Sequence, residues 1–138
     1  MAAHPYPIPR KAASIDSPAA SAAALRTFFN IARAWDLSAT EEQRLLGVQR
    51  STVYAWRSGD FPARLDADTL ERLSYVFGVY SALQVLFPLP ERADAWIRKP
   101  NTAPLFGGES ALARMLGGKV ADLFEVRHYL DAVRGGGS

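Results

Sequence analysis

The chain has 138 residues, 49% of them hydrophobic and 11% aromatic; this suffices for one ordinary core, or a small head and a second module sharing one, and excludes intrinsic disorder. A formal charge of only +2 excludes a global basic field, so any grip on nucleic acid must come from a local patch and from pairing of subunits, with a few salt-sensitive phosphate contacts each. The absence of cysteine excludes disulfides and thiolate metal sites and agrees with a reducing cytoplasm, while no apolar run reaches membrane-spanning length and the N-terminus lacks the apolar stretch of a signal peptide.

Residues 1–18 carry Pro5, Pro7, Pro9 and Pro18 among Ala and Ser, a composition that resists helix and strand and buries little; it reads as an extended arm. From Ala19 to Leu37 apolar residues step by three and four, through Leu25, Phe28, Phe29, Ala32 and Trp35, which predicts a helix. Ser38 with Glu41 three residues on forms a capping-box signal for a short helix that stops at Gly47. A second short helix follows and ends at Ser58-Gly59-Asp60, with Pro62 preventing continuation.

A long helix is predicted to begin near Asp66 or Asp68 and to carry Leu70, Leu73, Phe77, Tyr80, Leu83 and Phe87 up to Pro88 and Pro90. Glu91 to Lys99 forms a further short helix bearing Trp96, and Pro100 to Pro104 is an irregular connection. Gly107-Gly108 leads into a small helix with Ala111, Leu112, Met115 and Leu116, and Gly117-Gly118 breaks it. The last helix runs from about Lys119 to Val133, with Val120, Leu123, Phe124, Val126, Leu130 and Val133 tracing one side. No segment alternates apolar and polar residues, so the predicted fold is all-α: an arm over 1–18, a helix-turn-helix region over 19–65 and a second helical domain over 66–138.

Within this series, Leu45 to Trp56 is the stretch that points to chemistry. Leu45, Leu46, Val48, Val53 and Trp56 would seat a helical hairpin whose turn contains Gly47, leaving Gln49, Arg50, Ser51, Thr52, Tyr54 and Arg57 outward. Each of these can donate hydrogen bonds to phosphates or base edges. Such a hairpin also occurs as a purely structural corner, but a solvated helix would mix Glu with Lys where this face is polar and basic.

A search for catalysis finds little. His4 and His128 share neither an element nor a metal-ligand spacing, the acids sit singly or in first turns, and the Gly-Gly pairs lack the strand and lysine of a phosphate loop. No enzyme activity, metal or cofactor is expected.

The hairpin sequence, with Trp96-Ile97-Arg98-Lys99-Pro100-Asn101, Pro104-Leu105-Phe106-Gly107-Gly108 and Val126 to Gly136, resembles the MbcA/ParS/Xre antitoxins over about residues 20–137. That resemblance implies an Xre-like helix-turn-helix followed by a toxin-binding domain, and a partner toxin with an RES domain that consumes NAD⁺ or transfers ADP-ribose from it. It also implies that the C-terminal end enters the toxin's active site, and that the protein binds operator DNA and represses its own operon as a homodimer or a larger complex with toxin. The toxin-binding residues so implied are Trp96, Arg98, Asn101, Arg127, Tyr129, Asp131, Arg134, Gly135, Gly136 and Gly137. Polar handles at Arg127, Tyr129, Asp131 and Arg134 and a slim glycine run suit a narrow cleft, although a glycine-rich end is also what a frayed terminus looks like. On this reading removal of residues 128–138 leaves a folded chain that cannot inhibit. Gln49 departs from the family, which more often places Ser or Asn there to cap the recognition helix. The alternative is a solitary helix-turn-helix regulator whose C-terminal domain senses a small molecule; a protein-interaction module with a vestigial hairpin is a further rival.

Overall fold

The computed structural model describes residues 17–135, which form seven helices: α1 (Pro18–Ala34), α2 (Ala39–Leu46), α3 (Arg50–Arg57), α4 (Ala67–Leu86), α5 (Pro90–Trp96), α6 (Ala111–Met115) and α7 (Val120–Arg134). The arm up to Asp16 lies outside the described residues. Among those described, the only extended pairing is an isolated bridge between Pro100 and Ser110, so the all-α reading holds.

The helix starts are set by side chains that satisfy orphan amides. Ser17 accepts from the Ala20 N–H at 3.0 Å, with Pro18 in the first turn of α1. At α2 the capping box forms in full: Ser38 Oγ accepts from Glu41 N–H at 3.1 Å and Glu41 Oε1 from Ser38 N–H at 2.9 Å. Of the two acids offered for α4, Asp66 is the cap, accepting from Thr69 N–H at 2.8 Å, while Asp68 sits in the first turn and pairs with Arg72.

The centre of the molecule is α4 against α7. Leu73, Val76, Val79, Ala82 and Leu83 meet Leu123, Val126 and Leu130, and Leu25, Phe28, Trp35, Leu45, Leu46 and Val53 continue the same cluster through α1, α2 and α3. One core therefore serves both halves of the chain. Two residues of the predicted α7 stripe depart from it: Phe124 is 47% and Val133 44% exposed. The buried line is 123, 126 and 130, and Phe124 lies about 100° round the helix from Leu123. Phe77, one of the apolar residues of the predicted long helix, is half-buried beside a surface cleft and packs against the core from there.

Arginines fasten the halves together. Arg98, just past α5, donates to the carbonyls of Trp35 at 2.9 Å and Asp36 at 2.7 Å and to Glu41 Oε1 at 2.8 Å, so it closes the C-terminal end of α1 and ties it to α2. Buried Arg72 donates to Asp68, to the Arg44 carbonyl at 3.3 Å and to the Gly118 carbonyl at 3.1 Å. Gly47, at φ +69, ends α2; a Cβ there would stand 2.6 Å from Arg72 Nε, so both backbone conformation and space call for glycine.

Candidate DNA and partner interfaces

Helix α3 is held by one fully buried residue, Val53, with Trp56 half-buried beside it. This seating leaves Gln49, Arg50, Ser51, Tyr54 and Arg57 exposed, with Thr52 half-buried at the edge. Gln49 is the N-cap residue but makes no side-chain capping bond. Arg50 donates to Thr40 Oγ1 on α2. Arg57 pairs with Glu42 and lies 5.5 Å from the Tyr54 ring centroid. Glu42 is only 4% exposed, so Arg57 meets a carboxylate that would otherwise be buried without a countercharge. The sequence pattern missed this partnership, because Glu42 stands 15 residues away on another helix.

The ten residues assigned by resemblance fall into two groups. Trp96 and Tyr129 pack edge-on against the buried Phe106, at centroid distances of 6.0 and 5.1 Å. Asn101 Oδ1 accepts from Ala103 N–H at 2.9 Å, and its backbone bonds Glu109 and Gly108, closing the turn between α5 and α6. Together with Arg98, these residues make the signature segment a packed corner. Arg127, Asp131 and Arg134 instead run along the outer side of α7, where Arg127 Nε lies 3.4 Å from Asp131 Oδ2 and its Nη1 donates to the Ser74 carbonyl. Gly135 closes the helix with its N–H on the Asp131 carbonyl, and Gly136 and Gly137 lie outside the described residues.

Leu130 is 2% exposed. Removal of residues 128–138 would thus cut into the core and take away Tyr129 as well, so the expectation of a folded truncate is corrected: the cut must fall beyond Leu130.

A cleft of about 580 Å³ between α1, α4 and α7 borders Arg127, Asp131 and Arg134. Its far wall comes from Ser21 and Ala24 of α1, which read in the sequence only as small helical residues. Farther along α7, Phe124 stacks on His128 with centroids 5.6 Å apart and meets Tyr75 edge-on at 5.7 Å. The Tyr75 hydroxyl donates to Glu71, which raises its pKa above the usual phenol value. At Glu41 burial opposes ionisation, but the Ser38 N–H and the Arg98 guanidinium outweigh it and hold the carboxyl below its ordinary range. Among the described residues no group of three or more His, Cys, Asp or Glu is placed to hold a metal ion, and no helix is long and apolar enough to cross a membrane.

The chain matches the antitoxin Xre-like helix-turn-helix domain over residues 14–78 and the antitoxin Xre/MbcA/ParS C-terminal toxin-binding domain over residues 82–136. It is also 50% identical over 115 residues to the uncharacterized protein y4oB of Sinorhizobium fredii (strain NBRC 101917 / NGR234), an alignment that spans 83% of this chain and 86% of that protein.

Proposed function

Since the chain belongs to the Xre/MbcA/ParS antitoxins, we propose that it neutralises an RES-domain toxin acting on NAD⁺ by placing its C-terminal segment in the toxin's active site, and that it represses its own operon through α3. The observation that carries this reading is the division of labour along α7. Leu123, Val126 and Leu130 anchor the helix in the core, while Asp131 to Gly135 continue past the last buried residue and stay exposed. The segment is thus presented from a rigid base, which limits the ordering entropy lost when a partner takes it up. Inhibition by occlusion needs no chemistry from this chain.

The second activity is supported by the seating of α3, which exposes a polar, basic face backed by Val53. Two such faces in a dimer would read two half-sites one helical turn apart. The defining experiment is co-expression with the adjacent open reading frame, purification through a tag on this chain, and assay of NAD⁺ consumption before and after the chain is removed. A co-purifying protein that consumes NAD⁺ only after removal supports the proposal, and a partner indifferent to this chain overturns it.

A further inference from the structure

The cleft between α1, α4 and α7 lies beside the exposed end of α7, whose Arg127, Asp131 and Arg134 form its rim, and it has the attributes of a ligand site. Its volume, about 580 Å³, lies in the range that small-molecule sites occupy. Ala24, Leu70, Leu73 and Phe77 give it an apolar floor. Ser21 on its inner wall is 1% exposed, and its hydroxyl has no hydrogen-bond partner, an uncommon state for a buried polar group. At the mouth stand Arg127, Asp131 and Arg134. Asp131 is met by Arg127 at 3.4 Å, whereas Arg134 has no ion pair among the described residues, so the rim carries a surplus of positive charge.

We propose that this cleft binds a small amphipathic carboxylic acid, with its apolar body on Ala24, Leu70 and Phe77 and its carboxylate on Arg134 and the outer edge of Arg127. Charge complementarity sets the sign of the ligand. A guanidinium at the mouth favours a carboxylate, while the partnerless Ser21 hydroxyl on the inner wall marks a polar position that the fold itself leaves unfilled. A ligand seated there touches α1 of the DNA-binding half and α7 of the toxin-binding half at once. The site shares Arg127, Asp131 and Arg134 with the surface offered to the toxin, but small-molecule binding is tested on this chain alone, without toxin.

The test is isothermal calorimetry and thermal shift of the full chain with octanoate, octanol and octylamine, on the wild type and on Arg134→Gln, Ala24→Trp and Ser81→Trp. Ala24→Trp fills the floor from α1; Ser81→Trp does so from an exposed position on α4, which guards against a variant that fails to fold. Saturable binding of octanoate is expected, with octanol weaker and octylamine inert. Arg134→Gln should weaken octanoate roughly tenfold or more, and either tryptophan should abolish it. Octanoate binding that survives both tryptophans, equal shifts with all three compounds, or no octanoate binding overturns the proposal. So does a change of molecular mass in Ser81→Trp without any octanoate effect on the wild type, which would make the cleft a contact between copies.

Discussion

Replacing Arg98 by Met tests whether this residue acts within the fold. The side chain makes three charge-assisted bonds, to the Trp35 and Asp36 carbonyls and to Glu41. Fully buried bonds of this kind contribute about 1.5–3 kcal/mol each. The Arg98 side chain is 42% exposed, however, so the Glu41 ion pair is discounted to below about 1 kcal/mol and the carbonyl bonds to about 1 kcal/mol each. The expected loss is about 2–3 kcal/mol, or a fall in Tm of roughly 6–12 °C for a chain of this size. Part of the loss depends on pH. In the fold the Glu41 carboxyl is held below its ordinary value of 4.5, so its ionised form adds stability above that pH, and the addition disappears as pH falls through the lowered value. Arg98→Met removes one source of the lowering, and the difference between wild type and variant should narrow between pH 7 and a pH well below 4.5. Urea titrations followed by circular dichroism at both pH values measure this. A loss under about 0.5 kcal/mol, or one that does not change with pH, would refute the reasoning. Well below its Tm the variant should still inhibit the toxin.

Gly47→Ala should cost about 1–3 kcal/mol in the same titrations, from the left-handed backbone and from the encounter of its Cβ with Arg72, whose bonds to Arg44 and Gly118 it disturbs. Arg50→Ala should weaken operator binding and reduce its salt slope by about one, with stability unchanged, as gel retardation across a salt series would show. Arg57→Ala should do the same and also lower the urea midpoint, because buried Glu42 loses its countercharge. Truncation after Val133 should leave the helical spectrum intact and abolish toxin inhibition, whereas truncation after Arg127 should unfold the chain by removing Leu130.

Local signals made much of this molecule readable. The Ser38–Glu41 box, the Gly47 stop and the Val53–Trp56 spacing each depend on residues within four positions of one another, and each lies where the chain order predicts. Long-range partnerships were not readable, since nothing near Arg98 in sequence says that its acceptors are Trp35 and Asp36, more than 60 residues earlier. A basic residue beside Pro-Asn reads equally as a binding handle or as a helix-end strut until the corner is folded. The same holds for Tyr129, whose ring finds Phe106 through tertiary packing, and for the cleft, whose walls come from three separated helices.

The two matched domains abut between residues 78 and 82, in the middle of α4. A 20-residue helix cannot be divided there without breaking its hydrogen-bond ladder, and it buries Leu73 and Val76 before the junction and Ala82 and Leu83 after it in one cluster. The DNA-binding and toxin-binding halves are therefore segments of a single packed unit, with α4 as its shared element and Arg72 and Arg98 as cross-ties. Close-packed cores shift between discrete arrangements and do not deform continuously. Arg72 holds the Gly118 carbonyl just before α7 and the Arg44 carbonyl of α2, six residues before α3 begins, so one side chain links the two halves directly. Coupling between toxin occupancy and operator affinity would run along that path, and Arg72→Met, which removes both carbonyl bonds, should reduce it even where toxin and operator each still bind.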